Sequence, residues 1–149
     1  MKPIQDLYPS DFAHCFGCGR SNTAGHRLKS YKQGEEVIAR FTPSPHHIAV
    51  PGFVYGGLLA SLVDCHAMAT AAAADATEDS APRFVTAALH VEYLKPTPLG
   101  PELEIHGRVK ERSERKAVVT LTVSVADSVT VRAEVVAVRI PKTMERVSS

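Results

Sequence analysis

The sequence predicts an α+β fold in which one long apolar helix, over about residues 55–75, is wrapped by a curved antiparallel sheet. Three observations carry this. Residues 55–75, YGGLLASLVDCHAMATAAAAD, contain no proline, hold glycine only at the start, and are dominated by Leu, Met and Ala, all good helix formers. Such a helix is on the order of 30 Å long at ~1.5 Å per residue, and without a polar face it has to be buried. Val- and Thr-rich runs with apolar/polar alternation then follow, separated by Pro, Gly and Asp. One helix followed by successive strands is an α+β order. A single sheet curved around the helix would cover all its faces, and Ala60, Ala67, Ala69 and Ala71 to Ala74 would let that sheet approach closely.

The 149 residues suit one domain with its own core. A loop-rich arm is expected over about 1–25 and a short polar tail over about 141–149. The composition, 44% hydrophobic and 22% charged, is that of an ordinary globular chain. A net charge of +1 excludes the strongly basic face of a nucleic-acid binder. No charge-free apolar run reaches the ~20 residues of a membrane span. Three cysteines make no disulfide framework, so a reducing, cytoplasmic setting is expected.

Taken in order, residues 26–31 (HRLKSY) and 36–41 (EVIARF) read as two strands turning at Gln33-Gly34. Residues 42–53 hold three prolines and form a loop. After the helix and the breaker ATEDSAP, residues 84–94 form a strand. Alternation places Val85, Ala87, Leu89, Val91 and Tyr93 on one face of it and Thr86, Ala88, His90 and Glu92 on the other. Residues 102–110 alternate cleanly, with Glu104, His106 and Arg108 on the polar side. Residues 117–126 and 129–140 form a hairpin around Ala126-Asp127-Ser128.

Asp64 is the single charge in the middle of the helix, and a buried ionisable group is costly unless paired or used. It lies seven residues after Gly57, on nearly the same face, with Ser61 and Met68. Gly56-Gly57 stands where free N–H groups point outward and a ligand can come close. Seven helical residues separate Gly57 from Asp64 by ~10 Å along the axis. The two therefore cannot act on one carbonyl group within one chain. If both serve one substrate, the sites are shared between two copies in a two-fold homodimer. A structural role for Asp64, as a cap or as a partner of Arg83, is the competing reading.

VYGGLLASLVD followed by VTAALHVEYLKPTPLG resembles the hotdog-fold acyl-CoA thioesterases of the phenylacetate-degradation (PaaI-like) and THEM-like type. The CFGCG arm and the HRLKSY segment recur in that group, and the likeness runs from about His14 to Ile140. The resemblance implies a long helix wrapped by an antiparallel sheet, a homodimer or dimer of dimers with sites between protomers, and acyl-CoA as substrate with no cofactor. It implies that the Gly56 and Gly57 N–H groups polarise the thioester carbonyl. Asp64 of the partner chain would act as general base or nucleophile, and Thr86 would help place the attacking water. His47 matches a loop histidine upstream of the glycines. Two positions depart from the pattern: Tyr55 stands where the family usually has the His of His-Gly-Gly, and Ala49 where an Asn is common. Tyr55 offers a hydroxyl in place of the imidazole.

Val54, Leu58 and Met68 are expected to face the acyl group, and Arg83 and Lys95, flanking the motif strand, to meet coenzyme A phosphates. A non-catalytic acyl-CoA-binding or sensing protein is the first alternative, favoured by the Tyr55 and Ala49 departures. An enoyl-thioester hydratase pairing Asp64 with His47 or His66 is the second. Cys15-x-x-Cys18 has the spacing of a zinc half-site, but completing it needs His14 and His26 or the distant Cys65. Packing of the arm is the preferred reading and no metal is assigned. His66 reads as a satisfied core histidine and Cys65 as a small buried residue.

Overall fold

The computed structural model describes residues 2–144. One helix, α1 (Gly56–Ala73), lies against a six-stranded antiparallel sheet: β1 (Ser30–Gln33), β2 (Glu36–Phe41), β3 (Phe84–Tyr93), β4 (Leu103–Arg112), β5 (Lys116–Val125) and β6 (Ser128–Arg139). The strands run in the order β1-β2-β4-β5-β6-β3, so β1 and β3 are the edges. Helix α1 packs against all six strands. This is the expected wrapped-helix arrangement, and it explains why α1 tolerates so few polar groups. By length and composition alone α1 could cross a membrane, but here the sheet and the arm cover it. From Cys65 to Ala73 every residue of α1 is buried.

The inward rows of the sheet are Leu103 and Ile105 of β4, Val119, Leu121 and Val123 of β5, and Val131, Ala133 and Val135 of β6, all buried. Gly107 stands in that row because its backbone passes close to α1. A Cβ there would collide with the Thr70 hydroxyl and come within 3.3 Å of the His66 ring. A strand glycine marking a close backbone approach is the expected use of that residue. The β5–β6 turn consists of Ala126 and Asp127 at φ 47° and 66°, the left-handed pair that suits a two-residue hairpin.

Two local readings of the sequence are corrected. The first strand begins at Ser30 rather than His26, because Arg27 adopts φ 51° and breaks the extension. The arm packs onto the body of the chain: Ile4, Gln5, Leu7, Tyr8, Ala13 and Cys18 are buried, and a short 3₁₀ turn at Ile4–Leu7 carries the first three. Of the tail, Lys142–Met144 form a further 3₁₀ turn; the remainder of that segment lies outside the described residues.

The second correction bears on the site. The β3–β6 register slips between Thr86 and Ala88, leaving Ala87 as a bulge. A one-residue bulge inverts the alternation beyond it. Thr86 consequently shares the helix-facing side with Leu89, Val91 and Tyr93, whose partners on β6 are the buried Val135, Ala133 and Val131. Ala88, His90 and Glu92 take the outer side.

His66 is fully enclosed at the centre of the molecule. Its Nε2–H donates to the Val37 carbonyl (2.8 Å), which leaves Nδ1 to accept from the Ser30 hydroxyl (2.8 Å). Ser30 Oγ in turn accepts from Gln5 Nε2 (2.8 Å), and Gln5 Oε1 accepts the Ser30 N–H (2.8 Å). This closed chain of bonds joins the arm, β1, β2 and α1. Burial is the main reason His66 is pushed down from 6.5 to about 4, so it stays neutral. The sequence reading of a satisfied core histidine is the one the structure shows.

Candidate active site

Asp64 is half-buried in the first half of α1, where the helix still reaches the surface beside edge strand β3. The Thr86 hydroxyl donates to its Oδ1 across a very short contact. The bulge at Ala87 follows immediately and keeps Thr86 on the helix side. Among the described residues no base pairs with Asp64. Arg83 instead donates to the Phe84 carbonyl and lies over the Tyr8 ring, 5.1 Å from its centroid. The ion-pair explanation of Asp64 is thereby removed. Oδ2 has no protein partner among the described residues and is left for water or substrate.

At the helix start, the Leu58 and Leu59 N–H groups both turn back to the Tyr55 carbonyl (3.1 and 3.3 Å). The Gly56 and Gly57 N–H groups are the donors left over, as helix geometry requires. Tyr55 makes no side-chain cap. Its ring lies beside Gly57 instead, where a Cβ would stand 2.5 Å from ring carbons, so glycine is needed to seat the tyrosine. On the other side the Tyr93 hydroxyl donates to the Gly56 carbonyl (2.7 Å). The helix start is thus bracketed by Tyr55 and Tyr93. Tyr93 was placed on the apolar face in the sequence but not singled out for the site, since only the bulge puts it on the same side as Thr86.

The loop before α1 is tied down by the Tyr55 N–H, which donates to the His47 carbonyl (2.9 Å). His47 Nδ1 accepts the Ser44 N–H (2.8 Å), so the neutral ring carries its proton on Nε2. Burial, then His46 and His26, hold His47 below the usual histidine range. It is a neutral N–H donor near neutral pH.

A cavity of about 490 Å³ opens beside the helix start, within the size range of small-molecule sites. Val54, Gly56, Leu59, Tyr93 and Lys95 are among its lining residues. Of the residues expected to bind substrate, this brings together Val54 and Lys95 with Gly56. It does not bring in Arg83, which faces the Cys15 side of the molecule. Leu58 and Met68 are not among the residues lining the cavity; at 4% and 3% exposure both pack in the core of this chain. Ser61 is half-buried and its hydroxyl donates to the Leu58 carbonyl (2.7 Å), so its proton is spent on the helix. His106, on the polar side of its strand, is half-buried between Glu36 and Glu104; burial pulls its pKa down, but the two carboxylates outweigh burial and raise it above the usual range.

Residues 51–132 match the family model described as the thioesterase superfamily, more than half of the chain. A thioesterase superfamily protein from Shewanella loihica PV-4 is 48% identical and superposes with a TM-score of 0.70, over 88% of this chain and 97% of that one. The PaaI protein of the phenylacetic acid degradation operon of E. coli superposes with a TM-score of 0.66 over 78% of this chain and 81% of its own, at 14% identity, a likeness of fold. The rat (Rattus norvegicus) acyl-coenzyme A thioesterase THEM4 is 27% identical over 106 residues, which are 71% of this chain. The chain spans 43% of the length of that curated relative. With α1 wrapped by six antiparallel strands and a family model covering the glycines, Asp64 and Thr86, the chain belongs to the hotdog-fold thioesterase superfamily.

Proposed function

We propose that the protein hydrolyses acyl- or aryl-CoA thioesters at two sites shared between the chains of a homodimer. The observation that carries this is the Asp64–Thr86 pair: a half-buried carboxylate with no counter-ion among the described residues, aimed by a hydroxyl and lying beside an open sheet edge. In this reading the Gly56 and Gly57 N–H groups of one chain bind the thioester oxygen. Asp64 of the other chain draws a proton from water, or attacks the carbonyl carbon itself. As base, Asp64 passes the water proton to the departing thiol as the acyl–sulfur bond breaks and the acid forms. As nucleophile it displaces the thiolate to give an acyl anhydride, which water then hydrolyses, freeing the acid, restoring the carboxylate and supplying the thiol proton. An aimed backbone donor is worth on the order of 10²–10³ in rate. Thr86 acts through Asp64 by fixing its orientation. His47 Nε2–H is a further donor for a substrate carbonyl, and Lys95 at the cavity suits a phosphate of coenzyme A.

The dimer is supported by β3. It is a ten-residue edge strand, and Leu89, Tyr93 and Leu94 on or beside it are 43–52% exposed. A long, apolar, unpaired edge invites strand pairing. Tyr55, Val50 and Ile48 extend the exposed apolar patch toward the helix start. A dimer of dimers remains compatible with this arrangement, and free cysteines fit a reducing cytoplasmic compartment.

One observation favours a second reading. The Tyr55 ring beside Gly57 narrows access to the free N–H groups, as a binding protein without turnover would tolerate. The His66 form of the hydratase reading loses its support, because both His66 nitrogens are committed to Ser30 and Val37; its His47 form is dismissed by an unchanged enoyl-CoA absorbance, the expected result. Thiol release from a panel of aliphatic and aromatic CoA thioesters separates the remaining two. Turnover on at least one class is expected. Saturable binding of the same esters with no thiol release would make the protein a sensor.

A further inference from the structure

All three cysteines of the chain meet at one point. Cys15 and Cys18 come from the arm and Cys65 from the middle of α1, fifty residues from Cys15, and their sulfurs lie within 4.8 Å of one another. None is in a disulfide. The Cys15 and Cys65 sulfurs are 3.7 Å apart. Two thiolates on a tetrahedral zinc, at Zn–S of about 2.3 Å, stand ~3.8 Å apart. The arm is shaped to bring them there. The Gly19 N–H donates to the Cys15 carbonyl (2.8 Å) and closes a tight turn that holds Cys15 and Cys18 side by side. Gly17 has no room for a Cβ, which would strike the Cys65 sulfur. A Cβ on Gly19 would stand 2.5 Å from the Ala13 carbonyl oxygen and the Cys15 nitrogen.

Two more features fit a charged centre. The Tyr8 hydroxyl is buried with no hydrogen-bond partner among the described residues, and the three cysteines are among its ionisable neighbours. A buried donor left unpaired is costly, whereas a metal-bound thiolate is a ready acceptor. Arg83, over the Tyr8 ring, borders the same cavity as Cys15 and is placed to offset the net negative charge of three thiolates on a divalent ion. Cys15 borders a cavity of about 710 Å³ together with His14 and Arg83, which gives water access to a fourth coordination position. His26 is not part of this cluster; it packs among Phe16, Phe41 and His47, with ring centroids 5.1–5.7 Å away.

We infer that Cys15, Cys18 and Cys65 bind one thiophilic divalent cation of the zinc type, pinning the N-terminal arm to α1 at the residue next to Asp64. The inference is independent of the hydrolase reading. It is tested on full-length protein purified without a metal-affinity tag and kept with a non-thiol reductant. Elemental analysis is expected to find one zinc per chain. Cobalt(II) added to the metal-stripped protein is expected to give intense sulfur-to-metal absorption in the near ultraviolet, together with tetrahedral visible bands. Cys15→Ser, at the half-exposed ligand, should weaken these bands, and His26→Ala should leave them unchanged. Three titratable thiols with neither bound metal nor cobalt bands would overturn the site. So would a Cys15–Cys65 disulfide in protein isolated without reductant, seen as a mass lighter by two hydrogens.

Discussion

Asp64→Asn is expected to lower thiol release by a factor on the order of 10²–10⁴, the usual loss when a positioned acid–base group is removed. The substitution keeps the size and shape of the side chain, and the amide oxygen can still accept the Thr86 hydroxyl. The fold should therefore be untouched, because Asp64 makes no ion pair and lies outside the enclosed half of α1. What the amide cannot do is take a proton from water or attack a carbonyl carbon. Thr86→Val should have a smaller effect, since it loosens the carboxylate without removing it. Steady-state kinetics beside a thermal melt check both. An Asp64→Asn enzyme within a few-fold of wild type would place the chemistry elsewhere.

The largest stability effect is expected at His66. Replacement by Ala removes the link between Ser30 and Val37, leaves both groups buried and opens a cavity, a loss on the order of 3–5 kcal/mol at neutral pH. The pH dependence has a definite sign. In the folded chain His66 titrates at about 4, against 6.5 in the unfolded chain. Above pH 6.5 both forms are neutral and the contribution is complete. As the pH falls from 6.5 toward 4 the unfolded chain takes up the proton first, so that stability drains away and is gone below about 4. The gap in unfolding free energy between wild type and His66→Ala, read from urea melts, should narrow between pH 7.5 and pH 5. His106 is held charged by Glu36 and Glu104, and its contribution is lost on raising the pH, but it is present in both proteins and cancels. A gap that stays constant would mean that His66 is not buried neutral.

What was legible in the sequence followed from periodicity. The helix spans Gly56–Ala73 against an expected 55–75, and the strands after it fall within a few residues of their alternating runs. Asp64 was legible because a lone charge in an apolar helix is conspicuous. The rest was hidden for physical reasons. A bulge such as that at Ala87 leaves no compositional mark, yet it puts Thr86 on the side of the strand that carries Tyr93. Met68 was placed on the Asp64 face by helix geometry, correctly as rotation, but the second half of α1 is enclosed on every side and no face of it is free. The cysteine cluster needed a contact between the arm and mid-helix, which no local pattern encodes. The tyrosine bracket around Gly56 and Gly57 likewise depends on the tertiary meeting of β3 with the helix start.

The central claim is that one chain supplies the helix-start donor and the other supplies Asp64. The direct measurement uses dimers of mixed composition, isolated with two different tags. One chain carries Asp64→Asn. The other carries Gly56→Pro, which deletes an N–H at the first helical position, where proline is tolerated and a Cβ meets only the Tyr93 ring at 3.4 Å. Each homodimer should be inactive. In the mixed dimer, one site draws its donor from the first chain and its carboxylate from the second, both intact, and about half of the wild-type rate should return. A mixed dimer as inactive as its parents, with all species folded and paired, would contradict the shared site.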